Sequence, residues 1–287
     1  AASGLGAQGM LWSTSPAVTE IEARVLDWLV DLMGLPTGWK SSGPGGGVIQ
    51  MSASDSTHAV LVVARQLSRD EASCGDMVVY ASDQAHSSVE KGSRVAGIGH
   101  FRAIDVDGDF AMDPVALREA VEKDRADGLV PIAVVSTVGT TATTAIDPIE
   151  PVCEIASEQG MWHHVDAAYA GTAMVCEEFR THQRGLENVD SYTFNPHKWM
   201  MVNFDCNVLW VADRGPLVET MSILPPYLAN EASDAGGVID YRDWHLPLGR
   251  RFRSLKLWWV LRYYGANGIR AMVRDHVRLA DEFARWV

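Results

Sequence analysis

The sequence predicts an α/β fold built on a mostly parallel sheet. Three observations lead there. Short apolar runs such as Ile132–Ser136 and Met161–Val165 alternate with amphipathic helical stretches. The connections between them are short, as in right-handed strand–helix–strand units. Thr141, Asp166 and Lys198 each fall at or just past the end of such a run, and ligands of parallel sheets gather at the carboxyl ends of the strands.

Taken in order, residues 1–18 read as loop. Thr19 and Glu22 have the spacing of a capping box. Ile21, Val25, Leu29 and Leu32 or Met33 then recur at helical spacing until Gly34 and Pro36. Gly38 to Gly47 is rich in Gly, Ser and Pro and is expected to be a flexible loop. Gly46 to Thr57 leads into a helix through Ala59, Val63 and Leu67. Its small residues suit close approach of a ligand, Ser52 and Ser54 supply hydroxyls, and the helix start favours an anion. The same pattern also describes an ordinary serine cap. Met77–Tyr80 reads as a strand. His86 follows at a helix entry, where it can stack on a flat ring, relay protons or merely cap.

Ile98–Ile104 is a further strand, and Asp113-Pro114 opens a helix closed by Asp127-Gly128. Ile132–Ser136 runs into the hydroxyl-rich loop Thr137 to Thr141. Asp147-Pro148 opens the next helix, Gln159-Gly160 closes it, and Met161–Val165 delivers Asp166. His163 and His164 are neighbours on a strand and point to opposite faces, so they read as packing residues rather than metal ligands. Val189–Phe194 leads into Asn195-Pro196-His197-Lys198, and Cys206–Val211 is another strand. Ser222 to Asp234, with Pro225, Pro226 and Tyr227, reads as a mobile loop. Gly249 to Arg253 is a basic cluster, either solvated or site-shaping, ahead of helices Ser254–Tyr264 and Gly268–Arg285.

Composition narrows the function. With 287 residues, 47% of them hydrophobic, the chain can bury a large core in one domain. A net charge of −13 argues against nucleic-acid or anionic-membrane partners. No apolar run approaches the roughly 20 residues that span a bilayer. The four cysteines show no metal-type spacing and no disulfide framework, which suits a reducing cytoplasm. The uncharged start, without an initiator Met, and a last helix running to Val287 without a stop signal read as a piece of a longer protein.

A strand-end lysine is often only a solvated group, and a strand-end aspartate only a cap. Together, Lys198 and Asp166 match what pyridoxal phosphate (PLP) requires: an amine for a Schiff base, and a carboxylate to pair with the protonated ring nitrogen. Seven motifs in order extend this match. They are Gly47-Val48-Ile49-Gln50 with Ser52-Ala53-Ser54, then Ser82 to Glu90, Val138-Gly139-Thr140-Thr141 and His164 to Gly171. Asn195-Pro196-His197-Lys198-Trp199, Val202 to Cys206 and Pro247 to Ser254 complete the set. On these residues the chain resembles the PLP-dependent group II decarboxylases, in the aromatic-L-amino-acid decarboxylase branch, over almost its whole length.

The resemblance implies that residues 1–287 are a three-layer α/β/α PLP-binding large domain of PLP-transferase fold type I (aspartate-aminotransferase-like). It implies an obligate homodimer, with the family's N-terminal segment and C-terminal small domain outside this chain. It further implies that Lys198 forms the Schiff base, Asp166 pairs with the pyridine nitrogen, and His86 stacks on the ring. Ala53, Ser54, Asn195 and His197 would hold the phosphate, with Thr141 and Ala168 flanking the ring. Tyr227 would protonate the substrate carbon, and Gly249 and Trp12 would belong to the substrate pocket. The absence of a side chain at Gly249 leans toward an aromatic substrate such as tryptophan, tyrosine, phenylalanine or DOPA. The expected activity is decarboxylation to the amine. The alternatives are an aldehyde synthase, against which Tyr227 argues, and a non-catalytic scaffold. Met51, His58, Pro226 and His245 depart from the family pattern; Met51 would crowd the phosphate seat and Pro226 would stiffen the catalytic loop.

Overall fold

A strand covered on both faces needs apolar residues at every position rather than at alternate ones. Val130–Thr137 meets that demand: all but its first residue are buried. It is an interior strand of the sheet in the computed structural model, which describes residues 2–223 and 238–287. The strands are β1 (Gly46–Gln50), β2 (Met77–Ser82), β3 (His100–Ile104), β4 (Val130–Thr137), β5 (Trp162–Asp166), β6 (Ser191–Phe194) and β7 (Asn207–Val211). They form one seven-stranded sheet in the order β1-β7-β6-β5-β4-β2-β3. The pairs from β3 through β6 are parallel, whereas β7 runs antiparallel to both β6 and β1.

The helices are α1 (Ala2–Leu5), α2 (Pro16–Met33), α3 (Ala53–Leu67), α4 (Ser88–Val95), α5 (Pro114–Ala126), α6 (Ile149–Gln159), α7 (Arg214–Met221) and α8 (Arg253–Trp286). Alternate side chains of the strands feed opposite layers. Val79, Ala81 and Val135 pack with Val60, Val63 and Leu217 of α3 and α7. Val78, Tyr80 and Val134 pack with Leu117 and Val121 of α5 and Val152 of α6. Under the other end of the sheet, Val25 and Leu29 of α2 meet Phe194, Trp210 and Leu257. The three-layer α/β/α arrangement expected from the sequence is therefore present, and Gly265, at φ 64° and ψ 173°, breaks α8 between the two helices read there.

Three local expectations are corrected. Residues 1–18 are not wholly loop, since α1 spans Ala2–Leu5 and α2 begins at Pro16. Gly38 to Gly47 is not wholly loop. Thr37–Trp39 is a 3-10 turn, and Gly46 and Gly47 begin β1, which is buried throughout. Glycine is needed here because a Cβ on Gly47 would stand 2.6 Å from the Trp210 indole nitrogen. Nor do Thr19 and Glu22 cap a helix start, because α2 begins at Pro16. Glu22 is instead fully buried and paired with Arg250.

That pair joins distant parts of the chain. Glu22 Oε2 accepts from Arg250 Nη1 at 2.9 Å, and Glu22 Oε1 accepts from Arg250 Nη2 and from the Ile49 N–H. Arg250 also donates to the carbonyls of Gly9 and Ile49 and lies 4.7 Å over the Tyr241 ring. Breaking a buried pair from one side strands the other charge, at a cost of about 3–5 kcal/mol. Arg250→Met should lower the unfolding free energy by about that much in urea titration, and Glu22→Gln added to it should recover part of the loss. An unchanged midpoint in Arg250→Met would show that the bridge contributes nothing.

His163 and His164 pack as expected. The first hydrogen-bonds Ser136 Oγ and the second Ser191 Oγ, each at 2.8 Å. Burial pushes both imidazoles down to about 3, so both are neutral in the folded protein. An unfolded histidine titrates near 6.5. Below that pH the unfolded chain binds more protons than the folded one, so these residues' stabilisation is complete above about 6.5 and is lost as the pH falls toward 3. Unfolding free energies measured across that window should fall less steeply in the double variant His163→Gln, His164→Gln. Equal slopes in the two proteins would refute this account of the acid limb.

Candidate active site

Because β2, β4, β5 and β6 run in parallel, the chain leaves all four on one edge of the sheet. The start of α3 arrives at the same edge from β1. The convergence encloses a cavity of about 200 Å3 lined by Ser52, Ala53, Ser54, His86, Thr137, Gly139, Thr141, Asp166, Ala168, Tyr169, Asn195 and Lys198. Eight of the residues named from the sequence for cofactor or catalysis thus meet in one place: Ala53, Ser54, His86, Thr141, Asp166, Ala168, Asn195 and Lys198.

Asp166 is the last residue of β5 and is 4% exposed. One carboxylate oxygen accepts from the Ala168 N–H at 2.9 Å. Burial pushes its pKa up, against the opposing pull of that N–H and of Lys198 and His86. A carboxylate in that position favours a cationic hydrogen-bond donor, which a protonated pyridine nitrogen would provide. His86 has its orientation set by α4. The Ser88 N–H donates to His86 Nδ1 at 3.1 Å, so that nitrogen is an acceptor and the neutral ring carries its proton on Nε2.

In the same lining, Ser52 does serve as the cap of α3: its hydroxyl accepts from the Asp55 N–H and donates to Asp55 Oδ2. This leaves the N–H groups of Ala53 and Ser54 without intrahelical acceptors, as helix geometry requires. The cap and the anion seat are therefore compatible, and Ser52 lines the cavity as well. Gly139, at φ 86°, is a second device. A Cβ there would lie 2.7 Å from Ala170 Cβ, so only glycine lets this loop close over the strand end. A buried carboxylate, free helix N–H groups and an amine in one cavity fit the ring nitrogen, phosphate and aldehyde of PLP.

Other named residues lie elsewhere. His197 is not in the cavity lining. Its Nδ1 accepts from the Cys206 N–H at 2.7 Å and its ring sits 4.8 Å from Phe204, so it braces the turn between β6 and β7. Trp12 donates its indole N–H to Glu20 and its backbone N–H to Asp240. Gly249 is exposed, with Gln8 Nε2 4.0 Å from where its Cβ would be. Neither Trp12 nor Gly249 lines the cavity; close to Gly249, the Gly9 N–H donates to the Arg250 carbonyl. Tyr227 and Pro226 lie outside the described residues. Met51 does not crowd the anion seat, for it is 39% exposed and outside the lining. His58 lies where Gly92 brings α4 close to α3, and His245 is buried and pushed down to about 3 by burial, with Arg250 and Arg253 adding to the effect. Of the basic cluster, Arg253 pairs with Asp205 at 2.8 Å.

Sequence reasoning did not single out Thr137, Gly139 or Tyr169 as lining residues. Thr137 and Gly139 stood in a loop already noted for its hydroxyls. Tyr169 stood inside the motif His164 to Gly171, and it stacks on Trp199 at 5.5 Å. Among the described residues no group of three or more His, Cys, Asp or Glu could hold a metal ion, and no helix is long and apolar enough to cross a membrane.

Comparison with known proteins agrees with this geometry. The model of the pyridoxal-dependent decarboxylase conserved domain matches residues 2–287. Aromatic-L-amino-acid decarboxylase of Rattus norvegicus is 46% identical over 292 residues, covering 97% of this chain and 61% of the relative. Phenylacetaldehyde synthase of Arabidopsis thaliana is also 46% identical, over 99% of this chain and 59% of its own. A crystal structure of Oryza sativa TDC with PLP and tryptamine superposes with a TM-score of 0.96 at 42% identity, over 98% of this chain and 60% of that one. The chain thus spans about three fifths of the length of these relatives. On the family match and these identities, the chain belongs to the pyridoxal-dependent decarboxylase family.

Proposed function

We propose that this chain is the cofactor-binding part of an enzyme that decarboxylates an aromatic L-amino acid to CO2 and the corresponding amine. The observation that carries the reading is that Lys198 and Asp166 line one cavity at the strand ends. Bound there, PLP supplies an electron sink for the pair released when a Cα–carboxylate bond breaks. The Lys198 amine would hold the cofactor covalently until the substrate amine replaces it. Asp166 would keep a proton on the pyridine nitrogen. His86 would lie against the ring face, with Thr141 and Ala168 flanking it. Ala53, Ser54 and Asn195 would bind the phosphate. As CO2 leaves, Cα regains a proton, which we assign to the Tyr227 hydroxyl; a positioned acid contributes about 10²–10⁴-fold.

The aromatic substrate class is supported by the names of the relatives. We further propose a homodimer, for which the exposed Phe204, Leu246 and Trp259 offer apolar contact area, and a cytoplasmic setting, consistent with four free cysteines. The likeness to phenylacetaldehyde synthase favours one second reading, in which the same carbon is oxidised to the aldehyde. That reaction would consume O2 and water and release CO2, ammonia and hydrogen peroxide. Tyr227 favours the amine.

The test uses the full-length protein loaded with PLP and supplied in turn with tryptophan, tyrosine, phenylalanine and DOPA. CO2 and amine in equal amounts are expected. Lys198→Ala should abolish turnover and remove the visible absorbance of the covalently bound cofactor. Tyr227→Phe should shift product toward aldehyde and peroxide. No CO2 from any of the four would refute the decarboxylase reading, and peroxide and ammonia matching CO2 in the parent protein would replace it with the aldehyde reading.

A further inference from the structure

Asn207 opens β7 and is 0% exposed. Nothing in its sequence context marks it, and it does not line the cavity. Its side chain nevertheless sits where the two halves of the site meet. Asn207 Nδ2 lies 2.8 Å from Thr193 Oγ1, 3.0 Å from the Phe194 carbonyl and 2.7 Å from Asn195 Oδ1. Asn207 Oδ1 accepts from the Ser56 hydroxyl. Ser56 is in the first turns of α3, the helix that brings Ala53 and Ser54 to the cavity; Asn195 follows β6, the strand that leads to Lys198.

The polarity of this node follows from its neighbours. The Phe194 carbonyl can only accept, so the Asn207 atom facing it must be the NH2 group. Thr193 donates its own hydroxyl hydrogen to the Val208 carbonyl at 2.8 Å, so its oxygen also accepts from Asn207. With the Asn207 amide fixed, its two hydrogens serve three acceptors, one being shared, and the Asn195 atom beside it must be the carbonyl oxygen, since an NH2 group there would meet another donor with no lone pair to accept. The Asn195 NH2 group then faces away from Asn207, and Asn195 is itself in the cavity lining. Reversing Asn207 would put an acceptor against an acceptor and turn the Asn195 amide over.

We propose that Asn207 is a positioning residue for cofactor binding: it holds the Asn195 amide so that N–H donors, not a carbonyl, face the oxygen-rich end of the cofactor. Through Ser56 it also ties the start of α3 to β6, so the helix N–H groups and the Asn195 donors keep one spacing. The inference rests on the proposed PLP reading and deepens it. Asn207 touches no reacting atom and acts only through Asn195 and Ser56.

The test compares PLP affinity in the full-length protein for Asn207→Asp, Asn207→Ala, Asn195→Ala and the double variant Asn207→Asp, Asn195→Ala. Tyr80→Phe is the control, since it breaks an equally buried hydrogen bond, to Asp124, away from the cavity. Asn207→Asp removes the donors and keeps the acceptor, so it should weaken PLP by about tenfold or more, ~1.4 kcal/mol, and by more than Asn195→Ala does. In the Asn195→Ala background the same change should cost less than about twofold, the sign of a shared pathway. Tyr80→Phe should lower the melting temperature and leave PLP affinity alone. Amide hydrogen exchange in the cofactor-free protein gives a second readout: residues 53–57 and 194–195 should exchange faster in Asn207→Ala and not in Tyr80→Phe.

Additive losses in the double variant, or parental affinity in Asn207→Asp, would overturn the proposal. So would unchanged exchange at both segments in Asn207→Ala, which brings no charge and covers a failure of the aspartate variant to fold. If the parent protein binds no PLP, the cofactor reading fails by itself. Exchange then decides the Asn207 node: faster exchange at both segments upholds it and unchanged exchange overturns it.

Discussion

A sheet covered on both faces has no side left for polar chemistry. In this chain β2, β4, β5 and β6 are packed between helices, and their side chains are committed to the core. Polar function is displaced to the strand ends, and parallel strands place those ends together. The cavity is the consequence. Every lining residue lies at the end of a strand, in the loop after it, or in the first turn of a helix. Desolvation then gives the site its character, because a carboxylate at the buried end of β5 is held in a setting that penalises its charge unless a cation joins it.

Much of this was legible in the sequence because its rules are local or periodic. The run Ile132–Ser136 reads as a buried strand from its composition alone, and Asp113-Pro114 reads as a helix start because capping is decided within three residues. Asp113 does accept from the Val115 N–H. Asp166 and Lys198 could be paired as site residues because both follow apolar runs of the same sheet. His197 shows the limit of adjacency: it neighbours Lys198 in sequence, yet its ring turns to the Cys206 N–H.

What stayed hidden depends on contacts between segments far apart in sequence. Glu22 has the spacing of a cap, and only the arrival of Arg250 from the other end of the chain turns it into a buried ion pair. Gly46 and Gly47 look like loop until Trp210 is in place beside them. Asn207 follows a cysteine at a strand start and carries no motif, although Ser56, Thr193, Phe194 and Asn195 all depend on it. Local rules find the groups that do chemistry better than the groups that hold them, because the holding is done by tertiary partners.

The reversed strand β7 has an effect on the order of events in folding. Among the described residues β1 pairs only with β7, Gly46 opposite Val211, across most of the chain. A pairing between such distant segments carries a large loop-closure cost and forms late relative to local contacts. During synthesis from the amino terminus, β2 to β5 and their helices can assemble with one another, β3 and β4 on either side of β2 and β5 beside β4, while β1 waits for a strand made some time after it. The anion seat at the start of α3 therefore leaves the ribosome well before β7 does and is among the last parts of the sheet's edge to be held in place.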